Sequence, residues 1–292
     1  MELRPVPSRA TAAVILARGL GTRMRVDDGA LLAPTQLPAA AAGAKGLIPV
    51  GEGGRPLLDF VLSELADGGV RDVVFVVAPG ENAVRERYLS VAPPERLGIR
   101  FAEQREPRGT SDALLAAREA VEACAGSGIR GSGGSGDFLM LNADNLYPAA
   151  SVAALVELGG PGLVAFQADA LVTQGNIDRG RVMQFALLDI APDDTLSEIV
   201  EKPWPTHPLV TAPEQWVSMN LWRFSSAIFD DCAAVRPSVR GEFELADAVR
   251  LAIVARGERF RAVRQRLGVL DLSRRSDVAL VQARLAGRVP RP

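Results

Sequence analysis

The chain has 292 residues, of which 48% are hydrophobic, and a formal net charge of -2. Near-neutral charge argues against a protein that holds duplex nucleic acid mainly through phosphate contacts. No apolar run reaches the roughly 18–20 residues of a membrane span, and residues 1–10 form a polar tail without the apolar core of a secretory signal. The two cysteines have no metal-type spacing and imply no disulfide framework. We therefore expect a cytoplasmic protein with a proper buried core and neither nucleic-acid nor membrane partners.

The stretch VILARGLGTRMR predicts a strand that runs directly into an anion-binding turn. Apolar residues continue without a break over Ala12–Leu16, which is typical of a buried strand. Gly19 and Gly21 allow a tight turn and a close backbone approach to a ligand. Arginines follow among these exposed N–H groups, a combination that suits a polyphosphate: Arg18, Arg23 and Arg25.

Strand and helix patterns then alternate through the first half of the chain. The predicted strands are DVVFVVAP, GIRFAEQ and DFLMLNAD, and the predicted helices are RPLLDFVLSELADGG, NAVRERYLS and SDALLAAREAVEAC. We expect Ser111 to cap the last of these helices. Repeated βα units predict a right-handed, doubly wound, parallel α/β sheet.

Two segments interrupt this pattern, and the second half is richer in strands. Residues 26–44 form an Ala/Pro-rich insert that we expect to be partly helical or mobile, and residues 126–136 a flexible Gly/Ser loop. The later predicted strands are GLVAFQAD, RVMQFALLDI, LSEIVEKP, WVSMNLWRF and LGVLDL, with helices in ELADAVRLAIVARG and SDVALVQARLAG. Because the pattern resumes across both interruptions, we expect residues 1–292 to form a single domain.

Ligands of open α/β sheets bind beyond the carboxyl ends of the strands. The topology therefore places the Gly19–Arg23 turn, Gln104 and Asp144 on one rim. The turn alone does not identify a class of nucleotide-binding site. Met24 stands where a dinucleotide fingerprint needs its third glycine, and no Gly-Lys-Ser/Thr loop is present. An ordinary strand-to-helix turn with solvated arginines remains the alternative.

The chain resembles the sugar-phosphate nucleotidylyltransferases (nucleotide-sugar pyrophosphorylases) in an ordered set of motifs. These are LARGLGTRM, AKGLIPV, QREPRGTSDAL, LNADN, VEKP, SMN and GVLD, which follow the family's order across nearly the whole chain. The resemblance implies a Rossmann-like, mostly parallel α/β fold of the nucleotide-diphospho-sugar transferase type, with a strand-rich sugar-binding half. It also leaves open a homo-oligomer, because members of this family often form dimers or tetramers.

The reaction that the resemblance implies joins an NTP and a sugar 1-phosphate into an NDP-sugar and pyrophosphate. Anionic groups meet in this reaction, so cations and positioning matter more than a general base. The implied catalytic cations are Arg23 and Lys45. The implied nucleotide-binding residues are Leu16, Ala17, Gly19, Gly21, Thr22, Gln104, Gly109 and Thr110, and the implied sugar-phosphate-binding residues are Asn145, Glu201, Lys202 and Asn220. Gln104 favours UTP or dTTP, although GTSDAL also resembles adenylyl-transferring members.

Asp144 and Asp271 are the candidate ligands of Mg²⁺, the implied cofactor. Mg²⁺ needs only one or two protein carboxylates, with waters and substrate phosphates completing its coordination. Both aspartates follow apolar strands, where an unpaired carboxylate is costly. For Asp271, a turn that caps the next helix with Ser273 and Asp277 is the competing interpretation.

Two other functions remain open at this stage. One is a cytidylyltransferase for a small phosphorylated alcohol such as phosphocholine, whose cationic group the tryptophans could contact. The other is a catalytically silent nucleotide-binding protein of the same fold. The joint presence of Arg23, Lys45, Asp144, Lys202 and Asp271 argues against the silent protein, since a decayed site would be expected to lose a carboxylate or a cation.

Overall fold

A computed structural model describes residues 10–80, 82–126, 136–238 and 241–292. The strands are β1 Ala12–Leu16, β2 Asp72–Val77, β3 Gly98–Glu103, β4 Phe138–Asn142, β5 Asn145–Leu146, β6 Gly162–Gln167, β7 Ala186–Ile190, β8 Leu196–Val200, β9 Trp216–Phe224, β10 Arg261–Gln265 and β11 Leu270–Asp271. The helices are α1 Thr22–Arg25, α2 Leu37–Ala42, α3 Leu57–Asp67, α4 Ala83–Glu86, α5 Thr110–Ala116, α6 Arg118–Gly126, α7 Ala149–Val156, α8 Ala168–Thr173, α9 Arg179–Val182, α10 Pro208–Thr211, α11 Ile228–Ala234, α12 Leu245–Arg256 and α13 Asp277–Leu285. Short 3₁₀ turns cover Lys45–Leu47 and Glu52–Gly54, and a π turn covers Arg87–Val91.

Nine of the strands in the described ranges join one central sheet. Its order is β10-β6-β9-β4-β1-β2-β3, with β7 attached to β9 and β8 to β7. The pairs β1/β2, β1/β4, β2/β3 and β6/β10 are parallel, whereas β9 runs antiparallel to β4 and β6. The predicted α/β class with a mostly parallel sheet is therefore confirmed.

The sheet is buried on both faces, which explains its continuous apolar strands. In β1, Ala13 and Ile15 pack into the core on one face, while Ala12 and Val14 pack into the core on the other. Side chains alternate along a strand, so a strand covered on both sides needs apolar residues at every position.

Several local predictions from the sequence are wrong. Ser111 does not cap α5, because Gly109 occupies the N-cap position and the buried Ser111 hydroxyl donates to the Glu244 carbonyl oxygen (3.0 Å). The predicted helix of residues 111–124 also divides at Ala117 into α5 and α6. The predicted strand of residues 181–190 begins only at Ala186, because its start belongs to α9.

The predicted strand LGVLDL is much shorter than expected and lies outside the central sheet. It contributes only β11, which pairs antiparallel with β5 as a separate two-stranded ribbon. The parallel edge position next to β6 is taken instead by β10, which the sequence patterns missed.

The insert of residues 26–44 is partly helical, as expected, and packs beside the turn after β1. Its helix α2 ends at Gly43, and a Cβ added to Gly21 would lie 2.2 Å from the Gly43 carbonyl oxygen. The predicted tail and Gly/Ser loop fall almost entirely outside the described residues, and the single-domain assignment stays a prediction. Among the described residues, the helices are too short or too polar to cross a membrane.

Candidate functional site

A polar cavity of about 220 Å³ lies beyond the carboxyl ends of β1 and β4. The two strands end side by side, with Leu16 paired to Asn142. The chain then turns through Asp144 into β5, where Asn145 pairs with Asp271 of β11. The ribbon of β5 and β11 therefore carries residues from distant parts of the sequence to the rim of the central sheet.

The two candidate metal ligands line this one cavity. The Leu272 N–H donates to the Asp144 carbonyl oxygen (2.9 Å), which ties together the two segments that carry the carboxylates. Asp144 is partly exposed, whereas Asp271 is buried. In the turn before α13, Asp277 accepts the N–H groups of Ser273 and Arg274 (2.9 and 2.8 Å), while Asp271 accepts the Ser273 hydroxyl (3.0 Å).

Asp271 is a buried carboxylate surrounded by donors. Its Oδ1 accepts hydrogen bonds from Asn145 Nδ2 (2.9 Å) and Ser273 Oγ (3.0 Å), and its Oδ2 accepts one from Arg181 Nη2. Burial, and after it the negative charge of Asp144, raises the pKa of Asp271 to about 6, against the opposing effect of Arg181. Two carboxylates that repel each other in a shared cavity form a site that favours added positive charge.

The predicted cations Arg23 and Lys45 also line the cavity. Lys45 Nζ donates to Asp144 Oδ2 at 2.8 Å, with both side chains about one fifth exposed. Arg23 projects from the first turn of α1 and is exposed. The lining of the cavity therefore combines cations with carboxylates, and cations are what a reaction between anions requires.

Arg181 is a buried cation of this site that the sequence analysis missed. Its Nη1 donates to Asp277 Oδ1 (2.6 Å), and its Nη2 pairs with Asp271. The sequence pattern assigned this residue to a strand, where the side chain would not have been expected to reach Asp271. The Asp178 carboxylate accepts the Arg181 N–H (3.0 Å), which is a helix-capping signal that could have corrected the assignment.

The turn after β1 offers unpaired backbone donors close to this cavity. Ala17 N–H still belongs to the sheet, donating to the Val76 carbonyl (2.9 Å). Among the described residues, no acceptor is bonded to the backbone N–H groups from Arg18 to Gly21. Gly21 has φ +59°, and its N–H precedes the exposed Thr22 at the start of α1. Such a run of donors at a helix start suits phosphate oxygens.

Gln104 and Gly109 lie in a second loop, which follows β3, and Thr110 is the first residue of α5 at the end of this loop. Gly109 has φ +119°, and a Cβ there would lie 2.5 Å from the Phe243 carbonyl oxygen, so glycine is required. Thr110 Oγ1 accepts the Leu245 N–H (2.9 Å), so its hydroxyl connects α5 to the start of α12. The predicted nucleotide-binding residues therefore lie at the carboxyl ends of β1 and β3, which β2 separates in the sheet, and none of them lines the cavity itself.

The predicted sugar-phosphate residues are only partly brought together. Asn145, Glu201 and Asn220 line the cavity, whereas Lys202 is exposed and is not part of its lining. Glu201 and Lys202 follow the end of β8, and Lys202 has φ +45°. Asn220 has φ +59° in the middle of β9, a conformation that is strained for a residue other than glycine.

The donor set fits a hard divalent cation. Among the described residues there is no group of three or more His, Cys, Asp or Glu side chains that could hold a metal alone. Mg²⁺ does not need one, because two carboxylates suffice when substrate oxygens and water complete the coordination. Asp144 and Asp271 would supply oxygen ligands to such an ion in one cavity, and the ion would relieve their mutual repulsion.

Several curated proteins are similar to this chain over most of its length. UTP–glucose-1-phosphate uridylyltransferase AglF of Haloferax volcanii is 28% identical over 82% of this chain and 83% of its own. A glucose-1-phosphate thymidylyltransferase of Streptomyces griseus is 28% identical over 83% of this chain, which spans 57% of that protein.

Solved structures share the fold at lower identity. A UTP-bound UGPase from Acinetobacter baumannii superposes with a TM-score of 0.66 at 16% identity, covering 94% of this chain and 92% of that one. A UDP-glucose pyrophosphorylase complexed with UDP-glucose gives the same TM-score and identity over 94% of this chain and 97% of that chain. The nucleotide-diphospho-sugar transferase fold is thereby confirmed.

A family model described as nucleotidyl transferase matches residues 12–267, which include both loops and most of the cavity lining. The match extends from the start of β1 beyond the end of β10. The chain belongs to the nucleotidyl transferase family of enzymes.

Proposed function

We propose that this enzyme transfers a nucleotidyl group from UTP or dTTP to a sugar 1-phosphate, giving an NDP-sugar and pyrophosphate. The observation that carries the proposal is the cavity that joins Arg23 and Lys45 to Asp144 and Asp271 at the rim of the sheet. The named activities of the relatives, uridylyl and thymidylyl transfer to glucose 1-phosphate, support it.

In the proposal the nucleotide occupies the two loops at the strand ends. The triphosphate lies along the unpaired N–H groups after β1, with Leu16, Ala17, Gly19 and Thr22 forming the turn around it. Gln104 and the backbone beside Gly109 contact the base. Arg23 grips phosphate oxygens with its planar guanidinium group, and Lys45 acts as a point charge on the departing pyrophosphate.

The sugar phosphate occupies the other half of the cavity. Glu201 accepts from a sugar hydroxyl, and the amides of Asn145 and Asn220 donate to and accept from its oxygens. The positive φ of Asn220 supports this role, because strained residues are concentrated at ligand-binding positions. Lys202 lies at the edge and contributes positive charge toward the phosphate.

The proposed cofactor is Mg²⁺, held by Asp144 and Asp271. When bound, it supplies charge neutralisation for the phosphate oxygens. The chain's own groups position the sugar phosphate oxygen in line with the α-phosphorus and screen the negative charge of both substrates. Because the attacking phosphate is already an anion, no side chain has to remove a proton from it.

The cytidylyltransferase alternative is not favoured, because the named relatives act on glucose 1-phosphate. The predicted cytoplasmic location remains part of the proposal, as nucleoside triphosphates are made there. The homo-oligomer also stays a prediction.

The proposal is tested with a matrix of nucleotides and acceptors in the presence of Mg²⁺. UTP, dTTP, CTP, ATP and GTP are each combined with several sugar 1-phosphates and with phosphocholine, and both pyrophosphate and the NDP product are measured. We expect product with a sugar 1-phosphate and with UTP or dTTP. Product with phosphocholine alone, or nucleotide binding without product across the matrix, would contradict the proposal.

The role of Asp144 is tested with Asp144→Asn. We expect turnover to fall at least about 100-fold, the scale of removing one preorganised charged group, while the fold persists. The matched control is Asp169→Asn, which removes an exposed carboxylate that pairs with Arg179. Unchanged turnover in Asp144→Asn would remove this carboxylate from the mechanism.

A further inference from the structure

The side-chain amide of Gln104 has its direction assigned by two neighbours that accept hydrogen bonds. Gln104 Nε2 donates to the Gly109 carbonyl oxygen (3.1 Å) and to Asp112 Oδ2 (2.8 Å). A carbonyl oxygen and a carboxylate both lack protons to donate, so the amide nitrogen must face them. The amide oxygen, Oε1, must then point the other way.

The amide oxygen of Gln104, Oε1, is available to accept a hydrogen bond from a ligand. It accepts no hydrogen bond from the described residues, although Gln104 is only 4% exposed. The oxygen is not fully enclosed either, since it is absent from the buried polar atoms that lack a partner. A nearly buried side chain therefore presents a single unused acceptor at the nucleotide loop.

Asp112 is itself held in place. Its Oδ1 accepts from Arg108 Nη2 (2.6 Å), and the Arg108 guanidinium lies over the ring of Phe243 (5.4 Å to the centroid). The Asp112 side chain is 15% exposed, so this pairing is partly protected from solvent. The Arg108 carbonyl oxygen also accepts the Phe243 N–H (2.7 Å), which ties the loop after β3 to the segment before α12.

The backbone of Gln104 is restrained by Arg18. Arg18 Nε donates to the Gln104 carbonyl (2.7 Å), and its Nη2 donates to the Arg105 carbonyl (3.1 Å). Arg18 thus stabilises the loop that carries the amide. With the backbone and the amide nitrogen both held, Oε1 has one direction.

An acceptor in one direction distinguishes pyrimidines that have the same size. At the centre of the Watson–Crick edge, uracil and thymine carry an N3–H donor, whereas cytosine carries an N3 acceptor. The donor of cytosine, its N4 amino group, stands beside this position, where uracil and thymine have the O4 acceptor. Reversing the Gln104 amide to suit cytosine would place Oε1 against the Gly109 carbonyl and the Asp112 carboxylate, leaving acceptors facing one another. Sites built for a particular hydrogen bond discriminate strongly against a ligand that cannot make it.

We propose that Asp112 is a specificity-determining positioning residue, which selects uracil or thymine over cytosine by holding the Gln104 amide oxygen toward the base. This inference rests on the proposed function for the identity of the base site. It assigns Asp112 a role through Gln104, without contact between Asp112 and the nucleotide.

The test is Asp112→Asn, measured as the ratio of kcat/KM for UTP to that for CTP. The introduced side-chain amide can present either its oxygen or its nitrogen to Gln104, so both directions of the Gln104 amide become accessible. We expect the ratio to fall about tenfold or more, mainly through a higher KM for UTP. Asp112→Ser is the second variant, in case Asp112→Asn does not fold. The matched control is Asp230→Asn, which removes an exposed carboxylate paired with Arg118 and should leave the ratio unchanged.

Equilibrium binding of UTP and CTP, measured by calorimetry on the same full-length variants, separates this inference from the proposed function. Tighter wild-type binding of UTP than of CTP, lost in Asp112→Asn, would support the inference even if no acceptor gave product. Equal losses for both nucleotides would make Asp112 merely structural and overturn it. A wild-type protein that binds CTP as well as UTP would overturn it too.

Discussion

Replacing Arg181 by Met tests the electrostatic account of the cavity most directly. The substitution leaves Asp271 and Asp277 buried without their shared cation, at side-chain exposures of 3% and 4%. Removing one partner of a buried ion pair costs about 3–5 kcal/mol of unfolding free energy, because the remaining charge is desolvated and unpaired. We expect a loss of that size at pH 7.5.

The loss of unfolding free energy caused by Arg181→Met should increase with pH. The pKa of Asp271 already stands at about 6, and without the opposing charge of Arg181 it should rise further. A carboxyl whose pKa is higher in the folded state than in the unfolded state binds extra protons on folding, so its contribution to stability is lost as pH rises through the folded pKa. The loss caused by Arg181→Met should therefore be smaller at pH 5.5 than at pH 7.5.

Urea denaturation at the two pH values measures both effects. Arg179→Met is the matched control, because Arg179 lies on the same helix and forms an exposed pair with Asp169; its loss should stay below about 1 kcal/mol. A loss below about 1 kcal/mol for Arg181→Met, or the same loss at both pH values, would refute the reasoning.

Two further variants test the backbone of the site. Gly109→Ala should lower the unfolding free energy by at least about 1 kcal/mol and raise the KM for the nucleotide, because the added Cβ would clash with the Phe243 backbone and alanine disfavours the positive φ. Gly19→Ala is the control for stability. Its added Cβ has no atom within 4 Å, so the same denaturation assay should give an unchanged unfolding free energy. Asn220→Gly should raise the KM for the sugar phosphate about tenfold, because it removes the side-chain amide while glycine still accepts φ +59°. Steady-state kinetics with wild-type KM would count against a sugar-binding role.

The main strands could be predicted from the sequence because each is a short apolar run with clear ends. The predictions for β1 and β9 match the observed bounds. The strand prediction for residues 181–190 went wrong because apolar periodicity in RVMQFALLDI does not separate a short helix from a strand. β10 was missed because its RAVRQ sequence is half polar, as is typical of an edge strand.

The candidate site was predictable where a motif placed a residue at a strand end. Asp144 and Arg23 follow β4 and β1 closely, so the topology alone brings them to one rim. Arg181 could not be found in this way, because its approach to Asp271 depends on packing between segments far apart in sequence. The sequence left two roles open for the Arg18 side chain, a phosphate contact or exposure to solvent. In the structure it donates a hydrogen bond to the Gln104 carbonyl oxygen instead.

The small ribbon of β5 and β11 has a consequence for the order in which the protein matures. One carboxylate emerges from the ribosome at mid-chain and the other near the end, so no arrangement of the central sheet by itself completes the cavity. Under the proposed function, catalysis therefore requires the pairing of these two short β segments, and it should be among the first properties lost when β11 detaches from β5.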